Sequence, residues 1–126
     1  YTTAESLVEK MKRGDNGVFD YKAEPVMHRL MDATSFGPYA DKTTGKLQLC
    51  FLTNNDITGG NSGSPIFNGK GQLIGLAFDG NWDSLSSDIN FDKRLARCIG
   101  VDIRFVLFMM DKWGHADRLI KEINAK

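Results

Sequence analysis

The stretch DITGGNSGSPIFNGKG, Asp56 to Gly71, holds five glycines, two serines and one proline, and its residue types admit three chemistries. A surface loop is the plainest, because Gly, Asn and Ser serve wherever a chain reverses. A phosphate cradle requires a helix directly after the glycine-rich loop, with Lys and Ser or Thr at fixed places. Here Ser64-Pro65 leads into a hairpin pattern instead, and no Gly-Lys-Ser/Thr triplet occurs. A serine nucleophile needs a base to take its proton and N–H donors for the oxyanion that forms. Gly60-Asn61-Ser62-Gly63 suits the second need. Gly60 can adopt a backbone that turns its N–H toward the same point as that of Ser62, while Gly63 keeps the approach to Ser62 open.

The elements that would position this loop follow from local pattern. Leu47–Asn55, LQLCFLTNN, is a short apolar run that reads as a strand entering it. After it, PIF and QLIGLAF flank Asn68-Gly69-Lys70-Gly71, and Asn-Gly between apolar runs is a strong hairpin signal. DGNWDSLSSDINFDKRLARC is turn-rich, and IGVDI reads as a further strand. Upstream, Thr2 and Glu5 form a Thr-x-x-Glu capping box ahead of the stripe Leu7, Val8 and Met11, with Gly14 placed to end the helix. A second helix starts at Pro25, where proline in the first turn costs nothing, with Val26, Met27, Leu30 and Met31 on one side. At the other end Val106, Met109, Trp113, Ala116, Ile120 and Ile123 recur at steps of three and four and predict one closing helix. The expected class is α+β, mainly β with flanking helices. Residues 1–46 form a helical and loop lead-in, 47–103 the β segment with the serine turn, and 104–126 the C-terminal helix, all as one structural unit.

Composition excludes several partners. The 126 residues balance sixteen Lys plus Arg against sixteen Asp plus Glu, so no net field draws in a polyanion, and nucleic acid is not expected. The longest apolar run, Phe105–Met110, is far short of the roughly 20 residues that span a bilayer. No metal-ligand spacing or cofactor motif occurs, and neither is expected. Cys50 and Cys98 match no zinc spacing; one disulfide and two free thiols both remain open. The chain starts at Tyr1 without a leader and reads as a piece of a longer polypeptide.

GNSGSP resembles the Gly-Asp-Ser-Gly-Gly-Pro signature around the nucleophile of chymotrypsin-like serine peptidases. More closely, TGGNSGSPIFNGKGQLIGLAFDGNWDSLSSDI through VDIRFVLFMMDKWGHADRLIKEI is similar to the C-terminal end of bacterial serine-type dipeptidyl aminopeptidases. Those are exopeptidases with a chymotrypsin-like double barrel and a large helical insertion. The resemblance implies that this chain is part of the C-terminal β-barrel, with N-terminal helices and a closing helix. It makes Ser62 the nucleophile and the N–H groups of Gly60 and Ser62 the oxyanion hole. Asn61 stands where trypsin-like enzymes have Asp, so their switch, pairing that Asp with a freed N-terminus, is not available; Asn61 is expected to brace the turn. Asp79 matches the acid that helps hold the substrate's free α-amino group, and Gly80 the residue lining the pocket for the side chain before the cut. In the acidic-specific branch that pocket residue is Arg. Gly80 brings no charge and leaves room, which implies a hydrophobic or broad preference. Phe78 and Trp82 each suit either the pocket wall or the core; Phe78 is assigned to the substrate pocket and Trp82 to the core. Asp88 would brace the site or cap a turn, and Asp102 would cap the last helix.

A serine triad also needs a histidine and an acid behind it. His28 falls in the second helical pattern and His115 in the closing one, and neither suits a base. The resemblance places both missing groups in the N-terminal remainder of the polypeptide, so the chain alone is expected to hydrolyse nothing at a useful rate. Expected partners are peptides with a free N-terminus, the remainder of the chain's own polypeptide and, less specifically, a second copy in a homodimer. The implied location is the periplasm or cell surface. The competing class is a non-catalytic peptidase-like module used in binding or assembly.

Overall fold

A computed structural model describes residues 1–86, 92 and 94–124. The chain divides into two compact units, one of Tyr1 with Leu49–Ile103 and one of Thr2–Gln48 with Arg104–Lys126. The architecture is α+β, as expected. Its five-stranded sheet has the order β1-β2-β5-β4-β3, from β1 (Thr2–Thr3), β2 (Gln48–Thr53), β3 (Pro65–Phe67), β4 (Leu73–Gly80) and β5 (Cys98–Asp102).

In the first unit the pairings β2/β5, β5/β4 and β4/β3 are all antiparallel. The Asn68–Gln72 turn joins β3 to β4. Asn68 Oδ1 accepts the N–H groups of Lys70 and Gln72 at 2.9 and 3.0 Å, so an Asx side chain shapes the reversal. The left-handed residue of the turn is Gly71 (φ 73°) rather than the Gly69 of the Asn-Gly pair, which gives a longer loop than a two-residue hairpin. Ile66, Ala77 and Cys98 form the buried cluster, with Phe51, Ile57 and Ile74 packed against it. The Phe51 ring lies over Gly75 and Gly100, where a Cβ would come within 2.7 and 3.1 Å of it. Large aromatic area is thereby buried where the strands carry no side chain. Cys50 and Cys98 are free thiols in neighbouring strands; Cys50 pairs with Val101 and Cys98 with Thr53.

The second unit holds α1 (Ala4–Asp15), α2 (Pro25–Met31) and α4 (Asp117–Asn124), with most of α3 (Ile103–Lys112). The first helix starts one residue later than its Thr-x-x-Glu pattern suggests. Thr3 is the N-cap, and Ser6 Oγ accepts the Thr3 N–H at 3.5 Å. Gly14 does not stop α1, which continues to Asp15. A Cβ at Gly14 would collide with the Tyr21 carbonyl, so glycine serves a close backbone approach there. Pro25 opens α2 as expected. The single closing helix of the sequence reading is two helices. Trp113 and Gly114 both direct their N–H groups to the Met109 carbonyl at 3.1 and 2.9 Å, and His115 turns left-handed (φ 47°). Phe108, outside the expected stripe, is the buried residue of α3, met edge-on by Phe36 and Tyr39, whereas Ile123 of α4 is exposed. Arg104 donates to Asp41 Oδ2 and Gln48 Oε1, each at 2.9 Å.

Candidate active site

The loop between β2 and β3 is a bonded structure. Asn61 closes a turn in both directions: its N–H reaches the Thr58 carbonyl at 3.2 Å, and its Oδ1 accepts the Thr58 N–H at 2.8 Å. Asn61 thus braces the turn, as expected from its replacement of Asp. Gly63 then donates to the Ala77 carbonyl at 2.7 Å and Ala77 to the Ser64 carbonyl at 2.8 Å, which pins the loop to β4. Gly60 (φ 91°) and Gly63 (φ 89°) are left-handed, with open space at both Cβ positions. Glycine is therefore needed there for its backbone, not for room.

Ser62 lies between those glycines, exposed, and its Oγ donates to the Phe78 carbonyl at 3.3 Å. The N–H groups of Asn61, Gly63 and Ser64 are all spent on acceptors. Among the described residues, those of Gly60 and Ser62 meet none.

Phe78 owes its position to a bulge in β4. Ala77 pairs with Gly100 and Asp79 with Ile99, leaving Phe78 as the extra residue. Bulges of this kind re-aim groups next to functional clefts. Asp79 is exposed, and its Oδ1 accepts the N–H of Gly80 at 2.8 Å. Ser62, Gly60, Phe78, Asp79 and Gly80 all line one cleft of ≈ 210 Å³, and every lining residue belongs to the first unit. Among the described residues Asp79 is the one formally charged side chain on the wall, so the cleft has anionic character there and apolar area from Ile57, Ala77 and Phe78.

Two expectations are corrected here. The room foreseen beside Gly80 is already filled, because a Cβ there would collide with Ser84 Oγ. Trp82, foreseen in the core, is 86% exposed. It opens the Trp82–Ser86 helical turn, which is held by its polar neighbours: Ser84 donates to Asn81, and Asn81 to Asp83 and the Leu95 carbonyl. Asn81 and Ser84 also line the cleft, which the sequence did not reveal. The one available signal was a Ser three residues after an Asn in a turn-rich segment. Asp88 lies outside the described residues. Asp102 ends β5 immediately before α3.

Neither histidine belongs to the unit that holds the cleft. His28 sits in α2 with Nε2 3.5 Å from Asp15 Oδ1, and His115 lies in the turn between α3 and α4 rather than inside a helix. Among the described residues no cluster of three or more His, Cys, Asp or Glu could hold a metal ion.

Ser62 and Asp79 thus line the same cleft, and comparison with known proteins shows the family of the chain. The model of the family described as Peptidase S46 matches residues 1–125, and the chain belongs to that family. Dipeptidyl-peptidase 7 of Porphyromonas endodontalis is 52% identical over 124 residues, covering 98% of this chain and 14% of the relative. The Asp/Glu-specific dipeptidyl-peptidase of Capnocytophaga gingivalis is 43% identical over 123 residues, 98% of this chain and 17% of the relative. Among solved structures, Porphyromonas endodontalis DPP11 in complex with the dipeptide Arg-Asp has a TM-score of 0.88 at 38% identity, covering 98% of this chain and 17% of that one. The chain thus spans between about a seventh and a sixth of the length of these relatives.

Proposed function

We propose that this chain is the nucleophile-bearing segment of a serine exopeptidase that releases dipeptides from free peptide N-termini. The observation that carries the reading is that Ser62 and Asp79 line one cleft, where the N–H groups of Gly60 and Ser62 meet no acceptor among the described residues. Ser62 attacks the carbonyl of the second substrate residue, and the two N–H groups receive the charge of the tetrahedral intermediate. The Asp79 carboxylate, oriented by its bond to Gly80, keeps lone pairs free for the substrate's ammonium. An ammonium held there sets the cut two residues in. The base that takes the Ser62 proton, and the acid behind it, come from the remainder of the polypeptide. The segment alone is then inactive. In the full-length protein the base returns that proton to the leaving amine as the scissile C–N bond breaks, and water then hydrolyses the acyl-enzyme to free the dipeptide and Ser62. The barrel to which the sheet contributes is of the chymotrypsin type, and the location is the periplasm or cell surface; both rest on the sequence resemblance.

Side-chain preference is hydrophobic or broad. Overall identity does not decide this, since the Asp/Glu-specific relative from Capnocytophaga gingivalis is 43% identical over nearly the whole chain. The cleft supports the reading: Gly80 supplies no counter-charge, and Asp79, the one charge on the wall among the described residues, repels an acidic side chain.

The test is a panel of dipeptidyl substrates offered to the full-length protein with free and acetylated N-termini. Acetylation is expected to abolish cleavage, and Asp79→Ala to erase that discrimination by lowering kcat/KM for the free form alone. Equal cleavage of both forms by the wild type would remove the exopeptidase reading.

A further inference from the structure

Gly80 is not among the left-handed glycines, so its backbone suits any L-residue. What excludes a side chain there is space, and one atom takes that space, Ser84 Oγ. The next obstacles are farther off, Ser84 Cβ at 3.3 Å and the Arg97 carbonyl at 3.8 Å. Ser84 is firmly placed. Its Oγ and its N–H both donate to the Asn81 carbonyl, at 2.7 and 2.9 Å. Asn81 is itself clamped: its N–H reaches the Arg97 carbonyl at 2.9 Å, its Oδ1 accepts the Arg97 N–H at 2.7 Å, and its Nδ2 reaches the Leu95 carbonyl at 2.9 Å. The hydroxyl is thus a fixed part of the cleft wall.

We propose that Ser84 is a specificity-determining residue, whose hydroxyl sets the depth of the pocket for the side chain before the cut and acts as one unit with Gly80. This rests on the reading of the cleft as the substrate site of a dipeptidyl peptidase. Ser84→Ala removes one heavy atom from the wall and leaves no orphan acceptor, because the Asn81 carbonyl keeps the Ser84 N–H. Ser84→Thr adds a methyl group and shortens the pocket. The pair also constrains any change of charge preference. An Arg introduced at position 80 meets Ser84 first, so acidic selectivity requires Gly80→Arg together with Ser84→Gly.

The experiment compares kcat/KM of the full-length protein and its Ser84→Ala, Ser84→Thr, Gly80→Ala and Gly80→Ala/Ser84→Ala variants on matched substrates with Ala or Phe before the cut. Thermal melts check that each variant folds. One methyl group in an apolar pocket changes discrimination by roughly tenfold or more. The Phe-to-Ala ratio is therefore expected to rise several-fold in Ser84→Ala and to fall about tenfold in Ser84→Thr. Gly80→Ala is expected to lose activity that the double variant recovers, a non-additive pair of residues in contact. Ratios that stay within about twofold of wild type in Ser84→Ala would overturn the assignment, whether or not Ser84→Thr folds. Fluorophosphonate labelling of the wild type separates this failure from a deeper one. A wild type that labels at Ser62 but shows unmoved ratios refutes the role of Ser84 alone, and one that does not label at Ser62 refutes the underlying reading and this role with it.

Discussion

At Ser62 the proposed chemistry has two requirements, and the loop supplies one of them. Gly60 is left-handed, and among the described residues its N–H and that of Ser62 meet no acceptor, while the N–H groups of Asn61, Gly63 and Ser64 are used to hold the turn. Gly60→Ala probes this directly. Its Cβ would meet nothing within 4 Å, so the substitution acts through backbone conformation, where a left-handed L-residue costs roughly 1–2 kcal/mol. Relief of that strain turns the Gly60 N–H away. The expected result in the full-length protein is a kcat lowered by about 10²–10³, the usual loss of one oxyanion donor, with a smaller change in KM. Steady-state kinetics check it, and a wild-type kcat would exclude the Gly60 N–H as a donor. The motif was legible because glycine and serine identities are local constraints. Ser84 was not, because which atom fills the space at Gly80 depends on how the Trp82–Ser86 turn folds back on the end of β4.

Among the elements, α3 is tied to the segment before β2 and to the first residue of β2 through Arg104, which donates to Asp41 and Gln48. Asp41 accepts from Arg104 and from the N–H groups of Thr43 and Thr44, and these bonds hold its carboxyl down at about 2, below the ordinary 3.8. A depressed folded-state value stabilises above the unfolded one, and the contribution fades as pH falls from about 4 through 2. Asp41→Asn is therefore expected to lower the urea midpoint at neutral pH and to converge with wild type as pH approaches 2. Parallel urea titrations across that range check it; a pH-independent gap would mean the bond is not ionic in character. Pro25 and the β3–β4 hairpin could be read from sequence because single residues fix them. The break between α3 and α4 could not. Met109, Trp113 and Ala116 keep helical spacing straight through it, and the residue that turns left-handed is His115 rather than the neighbouring Gly114. Trp82 misled for a related reason: aromatic character argues for the core, but a turn fixed by Asn81 and Ser84 leaves the ring in solvent.

For the whole molecule, the distribution of groups matters more than their number. All cleft residues lie in the unit built on Leu49–Ile103, and both histidines lie in the other. The match covers 14% of dipeptidyl-peptidase 7 from Porphyromonas endodontalis and 17% of the Asp/Glu-specific relative from Capnocytophaga gingivalis. No helix among the described residues is long and apolar enough to cross a membrane. Under the proposed function, Ser62 is a shaped but unactivated nucleophile in this chain and an activated one in the full-length protein. The most direct measurement is the rate of fluorophosphonate labelling at Ser62, located by peptide mass mapping, in the isolated chain and in the full-length protein. The expected result is specific labelling of the full-length protein at Ser62 and labelling of the isolated chain slower by orders of magnitude, since general base assistance alone contributes about 10²–10⁴. Equal rates in the two, or labelling of the full-length protein at a residue other than Ser62, would contradict it.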